Sequence, residues 1–379
     1  LERGLVTAYL DATDGLGHLV EADRRIGVFE VDEAVLPRVF DRLRPRVAVF
    51  LNLFRDQLDR YGEIDSVAEG WRSMLGVANW SPALVLNADD PSVAQLAEDA
   101  PGPVVWFGID DPDVALPVAE HASDARFCGC GARFTIERSF MGHVGHWSCA
   151  SCGRSRPSPD VSATRVLLGV DSSEVDVSMD ATMYRLQVPT AGLYSVTNAL
   201  AALAAARALG LPEGTSIAAV EAAAPAFGRQ ERFDADGRSV RIWLAKNPAG
   251  LNEIVRALLA SEGKLSLLVM LNDGIQDGQD VSWIYDADIE RLSGGVDSLV
   301  CSGDRADDLA LRFAVAGIEP DAVVSPVPGA LDDGLRRTPL GGTLDVVATY
   351  TAMLEVREEV ARRTGTGAYW DVAAEGGAS

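Results

Sequence analysis

With 379 residues, 47% of them apolar, the chain has material for two or three domains with substantial cores. Its net charge of −23 sets it against nucleic acids and anionic membranes as general partners. No apolar run reaches the roughly 18 residues that span a bilayer, and no segment reads as a secretory signal.

Residues 1–25 read as a short helix, Gly4 to Leu10, and a polar connection. The chain starts at Leu1 inside a structured-looking stretch and is expected to be part of a longer one. Arg25 to Glu30 reads as a strand that closes on the carboxylates Glu30, Asp32 and Glu33. A helix is expected from Pro37 to Leu43. The β-rich apolar run Val47 to Leu53 predicts a buried strand. Beyond it Arg55, Asp56, Asp59, Arg60, Glu63 and Asp65 crowd together. Open α/β sheets bind ligands past the carboxyl ends of their strands, and both charge signs at that point suit a phosphate and metal site. They also suit a solvated first turn of a helix. Val67 to Ala78 reads as helix, and Ala83 to Leu86 as a strand stopping at Asn87-Ala88-Asp89-Asp90-Pro91. Val93 to Asp99 reads as helix and Val104 to Phe107 as strand. Three successive strands thus end in acidic or amide clusters, which predicts a shared binding site along one sheet edge with Glu30, Asn87 and Asp89 among its residues.

The region from about 115 to 166 breaks this rhythm. It holds Cys128-Gly129-Cys130 and Cys149-Ala150-Ser151-Cys152-Gly153. Two close cysteine pairs followed by small turn residues read as the knuckles of a zinc ribbon, with Cys128, Cys130, Cys149 and Cys152 as ligands of a closed structural site. The Cys-x-Cys half is tighter than the usual spacing. His143 and His146 are expected on the ribbon surface, and Cys301 stands alone. Cysteines gathered in one window indicate a metal site rather than a disulfide framework and fit a reducing cytoplasm.

Alternating stretches at 165–170, 174–179 and 183–188 predict a meander. Gly192 to Asn198 leads into an alanine-rich helix, Ala199 to Leu209, which Asn198 is placed to cap. A second helix is expected over Ser216 to Ala224, then a compact turn, Phe227 to Phe233, with Arg229 and Arg232. From about Asp234 strands and helices alternate again, which marks a domain boundary. Strands are expected at 239–245, 265–271, 296–302, 322–324 and 344–348, with helices at 251–259, 305–316 and 328–336. Between them Asp280, Asp286 and Asp288 surround Trp283-Ile284-Tyr285. The expected organisation is an α/β central domain of mostly parallel sheet over 1–233, carrying the zinc-ribbon insert. A smaller doubly wound α/β domain follows over 234–365, and residues 366–379 form a frayed tail.

Taken jointly, several motifs resemble the Mur ligase family, and within it the MurT-like branch, over essentially the whole chain. They are Phe29-Glu30-Val31-Asp32-Glu33, the stretch from Asn52 to Glu63, Leu86 to Pro91, the four-cysteine insert, Leu244 to Gly250, and Ser282 to Asp286. The resemblance implies ATP-dependent amidation of the D-glutamate α-carboxylate of lipid II through an acyl phosphate, with ammonia supplied by a GatD-like glutaminase subunit. It implies that Glu30 binds magnesium, Asn198 contacts adenine and Arg229 reaches the ATP phosphates. Lys246 stands where many family members carry histidine and is placed to meet the nucleotide or the acyl phosphate. Asp280, with Asp286 as the second choice, is implied to assist the glutaminase centre. From the residues alone, Arg229 equally suits a surface ion pair, and Asp280 and Asp286 suit loop and cap positions. The sequence departs from the family in three places. No Gly-x-x-x-x-Gly-Lys-Ser/Thr loop occurs, which leads to the expectation of a missing N-terminal segment of about 70–90 residues. Ser195 replaces a frequent asparagine, and Gln57 a frequent metal-binding histidine. The alternatives are a Mur-type amino-acid ligase and a non-catalytic scaffold.

Overall fold

The computed structural model describes residues 6–366, except 8–9, 23–24, 56–63, 118–119, 121–123 and 225–229. Asp56, Gln57, Asp59, Arg60, Glu63, Arg229 and nearly all of the expected tail therefore lie outside the described residues. Val6, Thr7, Leu10 and Asp11 are helical. Helix α1, Leu36–Leu43, carries Pro37 in its first turn and buries Val39 and Phe40. Proline suits that position because its missing N–H has no partner there anyway. Strand β1, Val47–Phe50, is followed by α2, Ile64–Gly76, and β2, Ala83–Asn87. Asp90 caps the short helix α3, Pro91–Ala94, by accepting the N–H groups of Ser92 and Val93. Then comes β3, Val104–Ile109, and the ribbon hairpin of β4, Thr135–Met141, and β5, Val144–Ser148.

Strands β6, Val161–Leu168, β7, Ser173–Met179, and β8, Thr182–Val188, complete a six-stranded sheet in the order β1-β2-β3-β6-β7-β8. Its first four strands run parallel and β7 and β8 antiparallel. Helix α4, Leu193–Ala208, lies across β3, β2 and β6. It starts six residues before the expected start at Ala199, so Asn198 sits within it and does not cap it. The β-branched Val196 and Thr197 disfavour helix locally, but both are buried against the sheet, and tertiary packing overrides propensity. Helix α5, Glu213–Glu221, packs beside α4.

The second sheet has the order β13-β12-β11-β14-β10-β9. Its strands are β9, Glu231–Ala235, β10, Arg238–Leu244, β11, Leu265–Met270, β12, Val296–Ser302, β13, Ala322–Val323, and β14, Thr343–Ala348. All neighbours are parallel except the edge pair β9/β10. Helices α6, Pro248–Leu259, and α7, Ala306–Val315, bury one face of this sheet. Helices α8, Val327–Arg337, and α9, Tyr350–Thr364, bury the other. No helix among the described residues is long and apolar enough to cross a membrane.

Two expectations are corrected here. Arg25 to Glu30 form no strand, and Ile26, Val28 and Phe29 are exposed. A strand exists only where a neighbour takes its backbone hydrogen bonds, and no described residue does so here. The end of the expected turn at Phe227–Phe233 belongs to β9, whose Val240↔Phe233 register starts the second sheet at Glu231.

Candidate functional site

The four clustered cysteines converge. Their sulfurs lie within 4.8 Å of one another, with Cys128–Cys152 and Cys130–Cys149 each at 3.6 Å. Tetrahedral zinc with Zn–S bonds near 2.3 Å would set sulfurs about 3.8 Å apart, so the arrangement fits. Each pair sits in a tight backbone turn: the N–H of Gly131 donates to Cys128 O, and that of Gly153 to Cys149 O. Both glycines have φ near +80°, a conformation that side chains resist. The backbone N–H of Arg154 favours the Cys152 thiolate and brings that thiol down to about 6. The Arg154 guanidinium, fixed by Glu98 at 2.6 Å, faces the sulfurs of Cys128 and Cys152.

At the carboxyl edge of the first sheet, Asn87 and Asp89 are fully buried. Asn87 Oδ1 accepts the Asp89 N–H at 2.9 Å. Asp89 accepts the Ile109 N–H at 2.8 Å and Arg156 Nε at 2.6 Å. Burial pushes its carboxyl up to about 6 against the pull of Arg156. A Cβ on Gly108 would come within 2.9 Å of both Arg156 and Asp89, so the pair needs glycine beneath it. Through Arg156, Asp89 thus ties the ribbon to the strand end. His143 is not a surface residue. It is fully buried, with Nε2 3.4 Å from Asp90, Nδ1 3.4 Å from the Asp124 N–H, and its ring 4.7 Å from that of Phe54. His146 is half-buried. Its Nε2 donates to Ile109 O at 2.9 Å, and burial lowers its pKa.

Asn198 is exposed on α4 and lines a cavity of about 560 Å³, together with Tyr194, Ala202, Leu211, Val220 and Gln230. That is the size of a small-molecule site. An amide beside an apolar slot suits a flat, nitrogen-bearing ring. Gln230 fixes the mouth: its Oε1 accepts the Ala191 N–H at 2.7 Å and its Nε2 donates to Ala191 O at 2.8 Å. Glu30 lies apart from this cavity's lining and is exposed. The only set of three or more metal-binding side chains among the described residues is the cysteine cluster.

Lys246, Asp280 and Asp286 do come together, in a cleft between the two sheets that Arg55, Asn247, Asp277 and Trp283 also line. Lys246 sits just before α6, where Asn247 caps the helix through the Gly250 N–H at 2.7 Å. Asp280 is exposed, and the hydroxyl and N–H of Ser282 hold its carboxyl below the usual range. Asp286 pairs with Arg55 Nη2 at 3.1 Å. Asp277 is buried and accepts the Thr351 N–H at 2.7 Å. The cleft encloses about 60 Å³, enough for water. Sequence reasoning missed Asp277 and Asp124. Their partners are 74 and 69 positions away, so no local pattern signals them.

Comparison with known proteins supplies the family. The Mur ligase middle domain matches residues 7–206, and the MurT ligase C-terminal domain matches residues 244–353. The chain is 30% identical to the MurT subunit of a lipid II isoglutaminyl synthase (glutamine-hydrolyzing) of Streptococcus pneumoniae, over 95% of this chain and 78% of that one. A subunit of the same name from Staphylococcus aureus is 33% identical, over 79% of this chain and 67% of that one. Among solved structures, a type C pseudomurein peptide ligase of Methanothermus fervidus aligns with a TM-score of 0.66 at 23% identity, covering 86% of this chain and 65% of that one. A MurF ligase of Thermotoga maritima in complex with ADP aligns at 0.59 and 14% identity, covering 88% and 65%. These two establish a shared fold.

Proposed function

The chain belongs to the Mur ligase family, in its MurT branch, and from that membership we propose that it amidates the D-glutamate α-carboxylate of lipid II, using ATP and ammonia from a glutaminase partner. The observation that carries this reading is the cleft between the sheets, which gathers Lys246, Asp280 and Asp286 at one place. A carboxylate oxygen attacks the γ-phosphorus of ATP and ADP leaves. Ammonia then attacks the acyl carbon, phosphate departs with the C–O electron pair, and a proton is lost. Hydroxide is too poor a leaving group for the direct exchange, which is why phosphorylation comes first.

Asn198 holds adenine at the mouth of the α4 cavity. Lys246 offsets the negative charge of the acyl phosphate. Asp280, exposed at the rim, faces the glutaminase. Arg229 is assigned to the ATP phosphates by family pattern. The family uses magnesium with ATP. Glu30 is the candidate ligand, and magnesium enters no step derived from these residues. Zinc in the four-cysteine site holds the ribbon and takes no part in chemistry, since four thiolates leave no open position. Residence in the cytoplasm, at the inner membrane face where lipid II is reached, is part of the same proposal.

The test is to combine the full-length chain and its glutaminase with lipid II, ATP and glutamine, and to look for D-isoglutamine by mass spectrometry. Product with glutamine or ammonium supports the reading. Incorporation of an amino acid instead would replace it with the amino-acid ligase, and no ATP turnover at all with the scaffold.

A further inference from the structure

Arg55 has no role in the chemistry above, yet three parts of the chain converge on it. It leaves the first sheet just beyond β1. Asp124, at the root of the ribbon, holds it at backbone and side chain: one oxygen accepts the Arg55 N–H at 3.0 Å, and the other forms an ion pair with the guanidinium, 2.5 Å from Nε but out of line for a hydrogen bond. The Asp124 side chain is only 7% exposed, and its backbone N–H points to the buried His143. From the other end of the guanidinium, Nη2 reaches Asp286 across the cleft. Asp286 closes the 3₁₀ turn Ser282–Asp286, six residues after Asp280, whose carboxylate accepts the Ser282 N–H.

We infer that Arg55 is a positioning residue of the cleft: aimed by Asp124 of the ribbon, it anchors Asp286 and so holds the Asp280–Asp286 segment at the rim. An exposed ion pair alone would add little. Here one partner is already fixed at backbone and side chain, so little freedom is lost when the second contact forms. A forked, planar cation holds two carboxylates in these directions at once, whereas an ammonium pairs with them less directionally. The ribbon thereby acts on the cleft without touching substrate. What the held segment does rests on the function proposed above. That it is held does not.

The test uses the full-length chain with its glutaminase, comparing Arg55→Met, Arg55→Lys and Asp124→Asn with the unaltered protein. Amidation is driven once by glutamine and once by free ammonium, and hydrogen exchange is followed over residues 280–287. Glutamine-driven turnover is expected to fall about tenfold in Arg55→Met and Asp124→Asn while ammonium-driven turnover stays within about twofold, as for a coupled contact acting on one half-reaction. Arg55→Lys should recover part of the loss. Exchange over 280–287 should rise in the first two variants, and Arg55→Met with Asp286→Asn should lose no more than the worse single change. Equal loss with both nitrogen sources, or losses that multiply, would overturn the inference. If the unaltered complex amidates nothing, the proposed function fails, and the exchange measurement still decides the anchor. Should Arg55→Met not fold, Asp124→Asn, which keeps the side-chain shape, decides in its place.

Discussion

Glu253 lies on α6, 1% exposed, near Arg256 and the Leu193 N–H but without a close hydrogen bond to its carboxylate. Burial raises its carboxyl to about 7, with Arg256 opposing and Glu120 adding repulsion. Because the folded value exceeds the unfolded one, folding takes up a proton. The contribution to stability is complete below the unfolded value of 4.5 and is lost as pH rises through 7. Glu253→Gln removes the buried charge, so it should stabilise at pH 8 by roughly 3 kcal/mol and change little at pH 4.5. Thermal melts at the two pH values check this. Asn198→Leu should weaken nucleotide binding about tenfold through one lost hydrogen-bonding amide, read with a fluorescent ATP analogue, while the melting temperature holds. Asn198 was singled out by its motif, and it lines a cavity. Asn87 and Asp89 were legible only as a polar strand end. Nothing local says that Arg156, 67 positions away, closes over one of them.

The ribbon was the most legible element, because thiolate spacing and knuckle glycines are local chemistry. Cys149→Ser should abolish stoichiometric zinc and open residues 126–156 to protease, and unchanged metal content would refute the site. Strands β2, β11 and β12 were legible as apolar runs, since strands buried on both faces need no alternation. The start of α4 was not, because burial and not propensity sets it. Nor was α9, an amphipathic helix without a strong N-terminal signal: Thr349 makes no side-chain cap. The false strand at Arg25–Glu30 shows the converse error. β propensity reports a fitting surface, and a strand needs a neighbour as well.

Two α/β sheets were legible as restarting alternation. Their mutual placement was not, because it rests on a few arginines with distant partners. Arg256 on α6 donates to the carbonyl oxygens of Phe140 and Val114, 116 and 142 positions away. Arg241 on β10 pairs with Asp345 at 2.6 Å and donates to Val170 O at 3.1 Å. Arg256→Met leaves those two carbonyls unpaired. It should cost about 2 kcal/mol at the junction and enlarge the radius of gyration in solution scattering, with each sheet's own unfolding unchanged. The first sheet carries a different weakness. Among the described residues, its parallel half, β1-β2-β3, pairs strand to strand with its meander half, β6-β7-β8, at Phe107↔Val161, Gly108↔Ser162 and Ile109↔Ala163. The chain between those strands is the ribbon, where a parallel crossover ordinarily places a helix. Asp89, fixed by Arg156, holds the Ile109 N–H at this join. Stripped of metal, the sheet should therefore part like cloth along a short seam: amides of 107–109 and 161–163 exchange first, and each half keeps its own weave.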